Sequence, residues 1–380
     1  MNETNTTVMK PFKINVPQEV LTDLSIRLKQ TRWTDEPENA GWNYGTNPRY
    51  LRELVSYWQT EYNWRTHEAE INKFPQYKAD IDGVTIHFIH VKGQGKNTIP
   101  LILNHGWPDS FYRFIKIIPM LTEPSGSRRS YDLVIPSIPG FGFSQQTALN
   151  SDKTAILFNK LMTETLGYST YFAAGGDMGT LITKSLAVQF PGNVKAIHLT
   201  DVGYPNGSED WSTMTPAEQA FGQQIQHWFF TEGAFNMIQS TKPQTLGYAL
   251  NDSPVGLASW IIEKFHAWSD NNGNFKNCFT MDELITNIMI YWVSQSINST
   301  IRTYAENART GYMGGLQSSK WVTVPTGVSL YPKEAQFPKE WAQRMANVVS
   351  FNIMDKGGHF AAMEQPETYA GELIGYFEKI

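Results

Sequence analysis

An apolar, strand-like run, Tyr171-Phe-Ala-Ala, enters Gly175-Gly176-Asp177-Met178-Gly179, and a helix-like stretch follows at once. Small residues around one reactive side chain, between a strand and a helix, describe a nucleophile elbow: a strained turn that exposes that side chain. The tenant here is Asp177 rather than serine. A carboxylate in that position can attack an electrophilic carbon and form an ester with it. The plain alternative is a glycine-rich turn whose aspartate caps the next helix, a role Asp often takes.

Two further segments bear on that choice. Asn104-His105-Gly106-Trp107-Pro108-Asp109-Ser110 follows an apolar run directly. Such a corner can offer a backbone N–H toward the elbow, though an ordinary strand-to-helix turn with a buried His105 would read the same way. Lys356-Gly357-Gly358-His359-Phe360 follows a late strand-like run. A histidine there can serve as a general base, because its ordinary pKa lies near neutrality. It needs an orienting acid. Glu334 stands just past the run 323–330, with Asp355 as a rival that lies too close to His359 in sequence to come from a separate strand end. No serine stands in a Gly-x-Ser-x-Gly frame, the eight histidines show no His-x-x-x-His spacing, and Cys278 is the one cysteine. Serine-based hydrolysis, a zinc centre and a bound cofactor are therefore not expected.

These residues need elements to position them. Short apolar runs at 99–104, 132–138, 171–176, 194–200, 323–330 and 348–354 alternate with helix-like stretches at 111–121, 155–166 and 180–190. That alternation predicts a doubly wound, mostly parallel α/β sheet. A last helix is expected over 366–378, with Pro366 and Glu367 in its first turn. Two blocks break the rhythm. The first opens with an amphipathic helix over 18–29, carrying Val20, Leu21, Leu24 and Leu28, and continues through a second over 51–62. The other, about 206–315, is helical in pattern and rich in aromatics, which suits a cap over the carboxyl edge of the sheet, where α/β folds bind ligands. The expected division is 1–95, a leading meander with the first strands; 96–205, the first part of the core; 206–315, the cap; and 316–380, the rest of the core.

Composition excludes several classes. The 380 residues carry a net charge of −5 with no basic stripe, so nucleic-acid binding is not expected. One cysteine makes no internal disulfide. No run of about 18 apolar residues offers a membrane span, and the polar N-terminus lacks a targeting core. A soluble, cytoplasmic protein is the expectation, with homo-oligomerisation left open.

The chain resembles the microsomal-type epoxide hydrolases, the branch that includes the insect juvenile hormone epoxide hydrolases. The likeness runs through Pro11-Phe-Lys-Ile, Ile86-His-Phe-Ile-His-Val91, His105-Gly-Trp-Pro108, Pro136-Ser-Ile-Pro-Gly-Phe-Gly-Phe-Ser144, Ala249-Leu-Asn-Asp-Ser-Pro-Val-Gly256, Tyr304-Ala-Glu-Asn307 and Gly357-Gly-His-Phe-Ala-Ala362. It implies an α/β-hydrolase fold with a helical cap and an N-terminal meander. It also implies that Asp177 opens an epoxide to a hydroxyalkyl ester. His359, oriented by Glu334, then activates water, while the N–H groups of Trp107 and Met178 hold the oxyanion. Tyr304 falls on one of two cap tyrosines that protonate the epoxide oxygen in that family. The second position is a departure: Phe235 stands there and has no hydroxyl. Met178 replaces an expected tryptophan after the nucleophile, and Thr200-Asp201-Val-Gly-Tyr204 departs from an Asn-containing pattern.

Three readings follow from the departure. Tyr304 acts as the one acid; or Tyr204, Tyr248 or Tyr312 takes over the missing role; or the triad serves another electrophilic or carbonyl substrate. A haloalkane dehalogenase is disfavoured because Met178 offers no indole N–H for a halide, and a vestigial ligand-binding protein would have no reason to keep three triad positions. Among the cap aromatics, Trp228, Phe229, Phe230, Phe235, Trp260, Trp268, Tyr291 and Trp292 are candidates to line an apolar pocket, and Pro108 is expected beside it. Each of them taken singly could equally pack the cap onto the sheet. The expected partner is a small apolar epoxide.

Overall fold

A computed structural model of the chain describes residues 9–95, 97–123, 129–205, 209–311 and 319–380; Tyr312 and residues 1–8 lie outside them. Among the described residues nine strands form one sheet: β1 Lys10–Phe12, β2 Gln76–Ile81, β3 Val84–Val91, β4 Ile99–Asn104, β5 Tyr131–Pro136, β6 Tyr171–Gly175, β7 Val194–Leu199, β8 Val322–Leu330 and β9 Ala346–Ile353. Their order is β1-β2-β3-β5-β4-β6-β7-β8-β9. The first three join antiparallel, and so do β3 and β5, while every pair from β5 to β9 is parallel. This is the α/β-hydrolase architecture. β5 and β6 are buried at every position, as an uninterrupted apolar run in a covered parallel sheet must be.

Parallel strands end on the same edge, so the loops after β4, β6, β7, β8 and β9 gather at one side of the sheet. Helix Met178–Gln189 leaves β6 directly, and the residues about 104–110 leave β4 into a 3-10 turn, Phe111–Ile117. The spacing predicts one helix over 111–121; instead that turn precedes a short helix, Ile118–Thr122, with Pro119 in its first turn. Pro119 has no N–H to give back to Ile115, so a single continuous α-helix cannot run through this stretch. The helix expected over 155–166 begins earlier, at Ser151, because the Asn150 side chain accepts the Lys153 N–H at its start, and it ends in a π-helical turn, Leu161–Thr165.

Six helices between Pro216 and Ala308 lie over the gathered loops. Two of them start on reciprocal capping boxes, Thr215 with Glu218 and Thr280 with Glu283. The N-terminal residues grip this layer. Trp42 stacks on His266 at 3.8 Å, Thr46 Oγ1 donates to the Ser259 carbonyl, and the Tyr57 hydroxyl donates to Asp282. Trp33, by contrast, is 40% exposed, with the Arg52 guanidinium over its ring. No helix among the described residues is long and apolar enough to cross a membrane.

Candidate active site

Asp177 occupies the turn between β6 and the helix that follows, at φ 58° and ψ −130°. A side chain rarely adopts that region, and such strain persists only where surroundings enforce it. They do so here through the Asp177 N–H, which donates to Asp201 Oδ2 at 2.7 Å, and through close packing. A Cβ on Gly179 would lie 2.0 Å from the Asn104 carbonyl oxygen, and one on Gly106 would lie 2.3 Å from Asp177 Oδ1. Glycine at both positions lets the elbow and the loop after β4 come together.

The two carboxylate oxygens of Asp177 have different surroundings. Oδ1 accepts the N–H of Trp107 at 2.9 Å and the N–H of Met178 at 2.6 Å. Oδ2 accepts no hydrogen bond among the described residues and lies 3.4 Å from His359 Nε2, an ionic contact. The other ring nitrogen, Nδ1, pairs with Glu334 Oε2 at 2.8 Å, and Glu334 Oε1 accepts the N–H of Ala335. Asp177, Glu334 and His359 thus converge from the ends of β6, β8 and β9.

Burial alone would raise the Asp177 carboxyl pKa; the His359 imidazole and the N–H groups of Trp107 and Met178 outweigh it and hold it below the ordinary carboxylate value. Burial alone would lower the His359 pKa; the Glu334 and Asp177 carboxylates outweigh it and raise it to about 10. Two carboxyl groups thus flank the His359 ring, and both favour its charged form. Burial and the Asp177 charge push the Tyr304 phenol well above its ordinary pKa, so it stays protonated.

A cavity of about 350 Å³ opens onto Asp177 and His359. Its walls include Trp228, Phe229, Phe235, Trp268 and Tyr304, with Leu181 and Ile225 between them. Phe235 lies flat against the Trp107 indole, 5.6 Å between ring centres, and edge-on to Tyr304 at 6.1 Å. Behind it, Lys264 Nζ stands 4.9 Å from the ring centre. The only lining hydroxyls of tyrosine are those of Tyr304 and Tyr204, among the described residues; Tyr248 is 72% exposed on another face, and Tyr312 is outside the described residues.

Several expected pocket residues lie elsewhere. Trp292 borders a separate polar depression beside Arg27. Its helix, Met281–Ser294, turns Asn287 and Tyr291 toward the loop after β4, where they bond the carbonyls of Pro108 and Asp109. Trp292 is one residue further round the helix and so faces the N-terminal helix instead. Pro108 is buried and is not among the residues that line the cavity; its carbonyl accepts from Asn287. Phe230 is 93% exposed, and Trp260 donates its indole N–H to Gln239.

Asp201 lines the cavity too, and sequence reasoning saw it only as a departure. Burial and the Glu334 charge raise its pKa to about 7, against the Thr180 and Asp177 donors. A carboxylate immediately after a strand, β7, was the available signal.

Comparison with known proteins shows the family. Residues 9–114 match the family described as epoxide hydrolase N terminus, and residues 99–247 match the alpha/beta hydrolase fold family. A putative epoxide hydrolase of Stigmatella aurantiaca is 40% identical, over 97% of this chain and 85% of that protein. Epoxide hydrolase 1 of Oryctolagus cuniculus is 36% identical, over 97% and 88%. The crystal structure of juvenile hormone epoxide hydrolase from the silkworm Bombyx mori superposes with a TM-score of 0.85 at 32% identity, covering 98% of this chain and 95% of that one. The chain is an enzyme with the α/β-hydrolase fold, and it belongs to the epoxide hydrolase family.

Proposed function

We propose that the chain opens a small apolar epoxide to a vicinal diol through an ester on Asp177. The observation that carries this reading is the division of labour within one carboxylate. Oδ1 is held by two backbone N–H groups, whereas Oδ2 is unencumbered beside His359. Oδ2 attacks an epoxide carbon, the carbon–oxygen bond breaks, and the oxygen takes a proton from Tyr304. An alkoxide is a poor leaving group near neutrality, so that proton matters. The product is a hydroxyalkyl ester whose carbonyl oxygen is Oδ1, still held by Trp107 and Met178.

Esterification removes the Asp177 charge, one of the two that raise the His359 pKa. The imidazolium then gives up its proton, which returns the Tyr304 phenolate to the phenol. Neutral His359 takes a proton from water, and the water attacks the ester carbon. The tetrahedral oxyanion stays on the same two N–H donors, a preorganised arrangement. Collapse expels the diol oxygen, which is protonated by His359. The hydroxyl that came from water then gives its proton to the imidazole, which restores the Asp177 carboxylate, with one oxygen from water, and the imidazolium. Glu334 holds the imidazole and stabilises its charge.

Phe235 has no hydroxyl to donate, so the protonation step is assigned to Tyr304, with Tyr204 as the other phenol on the cavity wall. The apolar wall supports an apolar substrate, and the volume supports a modest one. The test is mass spectrometry of His359→Gln incubated with styrene oxide and a panel of alkyl epoxides. Accumulation of an adduct on Asp177 is the expected result. Folded protein with no adduct from any member would refute the reading, and an adduct on another residue would relocate the nucleophile.

A further inference from the structure

Beneath the catalytic loops lies a charge pair that the mechanism above does not use. Asp109 and Arg113 are buried, 0% and 2% exposed, and Arg113 Nη1 donates to Asp109 Oδ2 at 2.5 Å. The other oxygen, Asp109 Oδ1, accepts the N–H of Gly106 at 2.9 Å, one residue before the oxyanion donor Trp107. The other arm, Arg113 Nη2, donates to the carbonyl of His359. The pair therefore joins the oxyanion loop to the histidine loop through one continuous chain of charged hydrogen bonds. Arg113 also lies near the elbow: a Cβ added to Gly176 would come within 3.4 Å of Nη2. Lys116, from the same 3-10 turn, donates to the Met363 carbonyl, and the His359 N–H donates to the Trp268 carbonyl. Both peptide groups of His359 are thus pinned.

We propose that the Asp109–Arg113 pair is a positioning device for the second half-reaction, holding His359 in register with the Trp107 N–H. This rests on the Asp177-ester reading. The two half-reactions ask different things of the site. Ring opening needs Asp177 Oδ2 and the Tyr304 proton, and His359 serves there only as a nearby charge. Ester hydrolysis needs the base and the oxyanion donor fixed relative to each other, with a water between them. Those are the two loops the pair connects. Small misplacements of a base cost large factors in rate, whereas ring opening is spared. Charged partners suit this task because a guanidinium fork fixes direction as well as distance.

The kinetic consequence is distinctive. In a two-step path through a covalent ester, slower hydrolysis lowers kcat and KM together and leaves kcat/KM, which reports ring opening, nearly unchanged. A general loosening of the fold lowers kcat/KM as well. The experiment is rapid-quench mass spectrometry of the Asp177 peptide with styrene oxide, alongside diol release, for the wild type, Arg113→Lys, Arg113→Met and the neutral pair Asp109→Asn/Arg113→Gln. The expected result is a fall in ester hydrolysis of about 10-fold or more for the neutral pair and Arg113→Met, with ring opening within about threefold. Arg113→Lys retains charge but not the fork, and should fall between these and the wild type. Arg113→Met strands a buried carboxylate and is prone to misfold; the neutral pair, matched in shape, decides the matter in that case. Equal falls in both steps in a folded variant, or no fall in either, overturn the proposal. If wild type forms no ester on Asp177 at all, the ester reading itself falls and takes this inference with it.

Discussion

Replacing Glu334 by glutamine removes one charge and almost no volume, which makes it the sharpest probe of the proposed base. Its Oε2 lies 2.8 Å from His359 Nδ1 and the side chain is buried, so solvent screens the pair little. With charge centres about 4 Å apart, an imidazolium and a carboxylate attract by about 4 kcal/mol at an effective dielectric constant near 20. At about 1.4 kcal/mol per tenfold in rate, that is roughly a thousandfold. The full amount applies only to a step that creates the imidazolium, which is ester hydrolysis. Ring opening creates no charge on His359 and should slow by less than about tenfold, since only a neighbouring charge is altered. A glutamine that turns its carbonyl to His359 points its NH2 at the Ala335 N–H, which Glu334 Oε1 now accepts. That lost hydrogen bond costs about 1 kcal/mol of stability, which leaves the protein folded. Rapid quench with styrene oxide should show a burst of Asp177 ester followed by slow diol release. Diol release within tenfold of wild type, or ring opening falling in parallel with it, would refute the reasoning and point to Asp201 or another group as the orienting acid.

Phe235→Tyr would add a phenol beside Tyr304 to a wall that already holds Tyr304 and Tyr204. A hydrogen bond to a charged oxygen is worth about 1.5–3 kcal/mol, so ring opening should quicken by roughly 10- to 100-fold, measured as single-turnover ester formation. An unchanged or lower rate would mean that packing against Trp107 and Lys264 has reshaped the pocket around phenylalanine. The pH dependence separates the steps. Ester hydrolysis should rise with pH along a limb whose midpoint lies below about 10, the free-enzyme pKa of His359, because the ester no longer carries the Asp177 charge. A midpoint at or above that value would deny the coupling. For stability the sign is fixed by a folded pKa raised above the unfolded value of about 6.5. The His359 contribution is complete below that pH and disappears as pH rises toward about 10. Urea unfolding of wild type should therefore weaken over this window more than that of His359→Gln; parallel curves would refute the linkage.

Several features of the site were legible because they are written locally. The elbow shows as glycines around Asp177 at the end of an apolar run, and the histidine loop as glycines before His359, since tight turns and buried strands constrain residue types within a few positions. Aromatic wall residues were not separable in this way. Trp228 and Trp268 line the cavity while Trp260 and Trp292 do not, although all four are tryptophans on helices of similar pattern. Which face of a helix meets a cavity depends on partners far away in sequence, such as the contacts of Asn287 and Tyr291 with the loop after β4.

By itself the sequence determined the elements and the strand ends that carry chemistry, because hydrophobic period and turn composition are short-range properties. It also placed a carboxylate, an acid and a histidine after three different strands. Only the tertiary structure decided that Asp177 Oδ1 meets two N–H donors while Oδ2 faces His359. Only it joined Asp109, Arg113 and the His359 carbonyl, which lie up to 250 residues apart in the chain. The reason is physical: distances between side chains on separate loops are set by strand register and by the packing of whole layers, and no window of neighbouring residues holds that information.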